Sequence, residues 1–233
     1  MSAGVHPLAN VIASVARGIT GVQVRWQGCA PEVKQRIYFA NHTSHLDFVV
    51  LWSALPDAVR ARTRPVAAQD YWEAGVRAYL AQRVFRAVLI ARGRAAQDGT
   101  AQDGAVHSKS DARPEAGDAK AAAAQVIDQL AAAMGETDSL IFFPEGTRGT
   151  GEAIAPFRSG LYYLAKKLPE VELVPVFLEN LSRILPKGEV LPVPLMGVLT
   201  FGEPMRLGDG EEKPEFLERA CAAVSGLRRK GQS

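Results

Sequence analysis

The chain has little with which to hold a metal or a disulfide framework: two cysteines and four histidines in 233 residues. Cys29 and Cys221 are far apart in sequence, so they form no metal pair and no staple, which fits a reducing compartment. Net charge is also scarce. Lys and Arg total 27 against 25 Asp and Glu, leaving +2, too little to predict a nucleic-acid partner. No apolar run approaches the ~20 residues of a membrane span. The N-terminal stretch has no basic n-region, and Asn10, Ser14 and Arg17 interrupt its apolar residues, so no secretory leader is expected. A cytoplasmic protein is predicted, peripheral on the inner face of the cell membrane if it meets lipid at all.

A hydrophobic content of 47% supports one domain with a full core across residues 1–233. Leu8, Val11, Ile12, Val15, Ile19 and Val22 recur at helical spacing, predicting an amphipathic helix over about 7–21 that either packs on the core or lies on a bilayer. Apolar segments at 22–26, 36–40, 65–68, 87–91, 140–143, 171–177 and 195–201 read as strands. Segments at 48–55, 76–86, 119–134, 157–168 and 216–227 read as helices. The alternation predicts an α/β fold, a single layered domain with a mixed central sheet flanked by helices. From 93 to 118 large apolar residues vanish and Ala-Gln-Asp-Gly occurs twice, the composition of a flexible surface insertion. Between Asp57 and Arg94, eight arginines outnumber three acids, forming either a solvated face or a patch for anionic lipid.

Two motifs carry the chemistry. Asn41-His42-Thr43-Ser44-His45-Leu46-Asp47 joins a strand to a helix, placing a base and an orienting carboxylate five residues apart. Asp47 at a helix N-terminus is also electrostatically favoured. Ser44 either caps the turn or serves as a nucleophile. A metal reading, in which His42, His45 and Asp47 bind zinc in a hydrolase, lacks an obvious further imidazole. The second motif, Phe143-Pro144-Glu145-Gly146-Thr147-Arg148-Gly149, follows a strand. Its glycines allow close backbone approach, Arg148 can grip a phosphate and Thr147 can donate to it. Glu145 either pairs with Arg148 or holds a substrate hydroxyl. Together the motifs point to a transferase acting on a phosphorylated alcohol.

The first motif resembles the NHxSxxD block of the glycerolipid acyltransferases, and the second resembles their FPEGTRS block, with Gly149 in place of the final Ser. Phe157-Arg158-Ser159-Gly160 is similar to a Phe-Lys-x-Gly stretch of that family, and Val174-Pro175-Val176 to its strand with a central proline. The end of another block is matched by Val88-Leu89-Ile90-Ala91-Arg92, with Arg86 standing where Gly is usual. The resemblance implies metal-free and cofactor-free transfer of a fatty acyl group from acyl-CoA or acyl carrier protein to a lysophospholipid, most closely 1-acylglycerol-3-phosphate. Glycerol-3-phosphate and other lysolipids are the alternative acceptors. It implies His42 as general base, Asp47 as its orienting acid, Glu145, Gly146, Thr147 and Arg148 in acceptor binding, and Arg92 near the phosphate.

Overall fold

Strand periodicity decides which side chains meet. In β2 (Arg36–Ala40), Ile37 and Phe39 face one layer while Tyr38 and Ala40 face the other, and all five residues are buried. Such a strand must be covered on both faces, which is the condition for a layered α/β protein. The computed structural model describes residues 7–44, 47–72, 74–91, 116–149, 151, 153–179 and 197–228. Among these, β1 (Gln23–Trp26), β2, β3 (Thr63–Ala68), β4 (Val88–Ile90), β5 (Ser139–Phe142), β6 (Glu172–Glu179) and β7 (Val198–Phe201) form one sheet in the order β1-β7-β6-β2-β5-β3-β4. Every pairing is parallel except β6 with β7, so the sheet is mixed, as the sequence predicts.

Helices α1 (Pro7–Thr20) and α2 (Asp47–Ala54) cover one face, packing Ala9, Ala13, Leu51 and Trp52 against Tyr38, Val176 and Phe201. Helices α6 (Ala116–Met134), α7 (Gly160–Lys167) and α8 (Lys213–Gly226) cover the other, packing Leu130, Leu161, Leu164 and Phe216 against Ile37, Phe39 and Leu173. Three short helices, α3 (Asp57–Arg60), α4 (Gln69–Trp72) and α5 (Gly75–Tyr79), fall where the sequence predicts one helix or none. The predicted insertion is shorter at its end, because residues 116–118 already belong to α6; residues 93–115 and Arg92 lie outside the described residues.

Three of the six described arginines in the arginine-rich segment turn inward, while Arg62, Arg77 and Arg83 stay exposed. Arg60 is buried, donating to the Leu55 carbonyl (2.9 Å), Asn10 Oδ1 (2.8 Å) and Asp57 Oδ1 (2.8 Å), with its guanidinium over the Trp52 ring. Arg64 donates to the carbonyls of Arg86 and Ala133. Burial lowers its pKa first, with the nearby Arg86 charge acting in the same direction. These side chains close chain ends whose carbonyls would otherwise lack donors.

The predicted helix over 76–86 changes character midway. After α5 the chain makes a π-helical turn at Leu80–Val84, and Arg86 then adopts φ +51°, the left-handed region. This is the position where the resemblance leads one to expect glycine. The conformation persists with a bulky residue because Arg86 is tied down, donating to the Ala61 carbonyl (2.9 Å) and to Asp138 Oδ2 (2.6 Å). Arg86→Gly and Arg86→Ala both lose these bonds, but only Gly escapes the left-handed penalty. Chemical denaturation should therefore show the Ala variant to be less stable than the Gly variant by about 1 kcal/mol.

Candidate active site

β2 and β5 are adjacent and parallel, so both motifs leave the same edge of the sheet. The chain after β2 turns to α2 on one face, and the chain after β5 leads to α7 on the other. Adjacent strands whose connections diverge in this way leave a crevice at their carboxyl ends.

The exit of β2 is extended by a side chain. Asn41 Nδ2 donates to the Leu178 carbonyl (3.0 Å), and the Leu178 N–H donates to Asn41 Oδ1 (2.8 Å). The amide thus replaces a peptide unit in the ladder to β6 and fixes where the next residue begins. His42 Nδ1 lies 2.9 Å from Asp47 Oδ2, and the ring stacks on Phe143 at 4.4 Å. Asp47 is fully buried at the first turn of α2. Its Oδ2 also accepts the N–H groups of Thr43 (2.5 Å) and Ser44 (2.8 Å). The motif is therefore a loop folded round one carboxylate oxygen. The carboxylate holds the proton on Nδ1, leaving Nε2 to receive another.

Ser44 is buried, and its N–H serves Asp47, which suits the turn-capping alternative better than the nucleophile. His45 lies outside the described residues. Among the described residues no three His, Cys, Asp or Glu side chains are placed to hold a metal ion.

Glu145 is engaged by backbone groups and not by Arg148. Its carboxylate is buried, with Oε1 accepting the His42 N–H (2.6 Å) and Oε2 accepting the Ala155 N–H (2.9 Å). The Gly149 N–H returns to the His42 carbonyl at 2.7 Å. Glu145 is thus the clasp between the two motifs. No ion pair joins it to Arg148 among the described residues. Thr147 and Arg148 are exposed on the turn, and Gly146 sits at φ +70°.

A cavity of about 390 Å³ opens at this crevice, within the ~300–1,000 Å³ range usual for small-ligand sites. His42 and Gly146 line it at one side. Most of the wall is apolar: Phe48, Trp72 and Phe143 near the histidine, Ala123, Val126 and Leu130 from α6 beyond. Arg158, Ser159 and Gly160 also line it, whereas Thr147 and Arg148 do not. The α6 wall and the Tyr71–Trp72 pair carry no motif. An alanine-rich helix with one bulkier apolar stripe is their only trace in the sequence.

Burial, the dominant effect, raises the Glu145 carboxyl above its ordinary 4.5; the two backbone donors oppose it. The folded state therefore holds this proton more tightly than the unfolded state. Its contribution to stability is complete below 4.5 and is lost as pH rises through the raised pKa. Glu145→Gln removes this pH dependence, so the gap in melting temperature between wild type and variant should narrow as pH climbs above 4.5. Gln has one acceptor oxygen for two N–H groups, so the variant should lose roughly 1–3 kcal/mol of stability and turn over more slowly through a displaced His42. A variant with full turnover would show that the clasp does not set the histidine.

The sequence profile of the Acyltransferase family matches residues 21–179, a span holding both motifs. Comparison with curated proteins returns no match. Among solved structures, the chain is similar to the crystal structure of the 1-acyl-sn-glycerophosphate (LPA) acyltransferase PlsC from Thermotoga maritima. The TM-score is 0.65 at 18% identity, covering 97% of this chain and 80% of that one; at this identity the likeness is one of fold. With the greater part of its length matched by the profile, the chain belongs to the Acyltransferase family.

Proposed function

We propose that the chain is a 1-acylglycerol-3-phosphate O-acyltransferase, moving a fatty acyl group from acyl-CoA or acyl carrier protein to a lysophospholipid to give phosphatidic acid. The observation that carries this reading is the His42–Asp47 pair at the mouth of an apolar cavity. The acceptor hydroxyl oxygen attacks the thioester carbonyl carbon while His42 Nε2 takes the hydroxyl proton. The tetrahedral oxyanion collapses, the carbon–sulfur bond breaks, and the thiolate leaves with the proton returned by the imidazolium. Asp47, already hydrogen-bonded to Nδ1, stabilises that imidazolium. The apolar wall suits an acyl chain. The Gly146–Arg148 turn supports a phosphate-bearing headgroup, glycerol-3-phosphate or another lysolipid being the alternatives within the same chemistry. Arg92, outside the described residues, belongs to this reading as a further phosphate contact.

The same reading includes peripheral attachment to the inner face of the cell membrane. Helix α1 buries Ala9 and Ala13 but leaves Val11, Val15 and Ile19 exposed at i, i+4, i+8, so it packs on the core and still presents an apolar stripe. No helix among the described residues is long and apolar enough to cross a membrane.

The first assay is acyl transfer by purified protein in liposomes, offering lysophosphatidic acid, glycerol-3-phosphate and a neutral-headgroup lysolipid with each donor. Lysophosphatidic acid should be the acceptor used. His42→Ala should abolish transfer while the protein still folds, and chelator should have no effect. Transfer that survives in a folded His42→Ala protein would overturn the general-base assignment. Val15→Asp should reduce co-sedimentation with anionic vesicles severalfold while leaving the melting temperature unaltered, because the residue is exposed.

A further inference from the structure

Arg158 lies ten residues beyond Arg148, outside the motif to which phosphate binding is assigned, yet it is the arginine that lines the cavity. Three observations fix its position. Its backbone N–H donates to the Pro144 carbonyl (2.8 Å), which holds the 158 backbone against the start of the motif turn. Its side chain lies across Gly146, where an added Cβ would stand 2.9 Å from both Cδ and Nε. Gly146 therefore provides both the left-handed turn and the room for a guanidinium stem. Lastly, Arg158 is exposed and forms no ion pair with the described residues, unlike Arg36, Arg60 and Arg86, which carboxylates engage; Arg62, Arg83 and Arg148 are exposed too, but Arg158 alone of these lines the cavity. An uncompensated guanidinium is held against Gly146 in the lining of a mostly apolar cavity that His42 also lines. That is the disposition needed to receive an anion attached to an apolar tail.

We infer that Arg158 is a phosphate-binding cation in the cavity wall, receiving the phosphomonoester of the lipid acceptor together with the Gly146–Arg148 turn. This deepens the proposed function and rests on it for the identity of the acceptor. The coenzyme of the donor also carries phosphates, so the same guanidinium has two possible sources of anion, and the test separates them. The full chain is assayed as wild type, Arg158→Ala and Arg158→Lys. KM and kcat are measured for lysophosphatidic acid, for a neutral-headgroup lysolipid and for acyl-CoA. In parallel, equilibrium binding of lysophosphatidic acid and of the neutral lysolipid is measured without donor.

Arg158→Ala should raise the lysophosphatidic acid KM about tenfold or more, the worth of a charge-assisted hydrogen bond to an anion. The change in kcat should be small, and the KM values of acyl-CoA and the neutral lysolipid should stay put. Arg158→Lys should recover part of the loss, because it restores charge without the bidentate fork. An unchanged lysophosphatidic acid KM would overturn the inference, as would an equal rise for the neutral lysolipid. A rise confined to acyl-CoA would move Arg158 to the donor and overturn the acceptor assignment. If the wild type transfers nothing but binds lysophosphatidic acid through Arg158, the phosphate site stands and the proposed reaction falls. If it neither transfers nor binds, both fall.

Discussion

The arrangement of the site depends on one buried carboxylate, that of Glu145. It accepts a backbone N–H from His42 on one oxygen and from Ala155 on the other, and so joins the loop after β2 to both ends of the loop after β5. Parallel neighbours deliver two loops to one sheet edge, but sheet geometry does not set the spacing between loops. A short, charge-assisted bond out of solvent does. The cost appears in the raised pKa, since burial disfavours the ionised form more than the two donors favour it. The carboxylate is tolerated because both its oxygens are used.

Asp47 works by the same economy on a smaller scale. One oxygen gathers an imidazole and two successive backbone donors, so the residue that orients the base is the residue that folds the loop. Removing it would collapse the turn as well as free the ring. Function and local stability are therefore not separable at Asp47, whereas at His42, a fifth exposed and stacked on Phe143, they are.

The sheet was legible because its strands are short apolar runs bracketed by turn chemistry, and because β2 and β5 lead straight into the two motifs. The histidine–aspartate pairing was legible for the same reason. Glu145 was not: a carboxylate beside an arginine in sequence reads as an ion pair, and its actual partners are backbone groups, which carry no sequence signature. Part of the arginine-rich segment misled in the same way, although Arg62, Arg77 and Arg83 are exposed. Charge counting reads Arg60, Arg64 and Arg86 as a surface, yet carbonyl groups at chain ends draw them inward. Pro175 also needed the structure. It lies in β6, between β2 and β7 and not at an edge. The β6–β7 register shifts by one residue between Val176–Phe201 and Leu173–Met205, so the missing N–H falls opposite a bulge.

Asn41 gives the catalytic edge a chemical lifetime as well as a shape. Its amide stands in for a peptide group, with nitrogen toward the Leu178 carbonyl and oxygen toward the Leu178 N–H. Deamidation would turn the nitrogen into a second oxygen facing that carbonyl, exchanging an attraction for a repulsion inside the sheet, one residue from the histidine. The burial of Asn41 thus also protects against ageing: it keeps water from an amide whose hydrolysis would unseat the base without touching it.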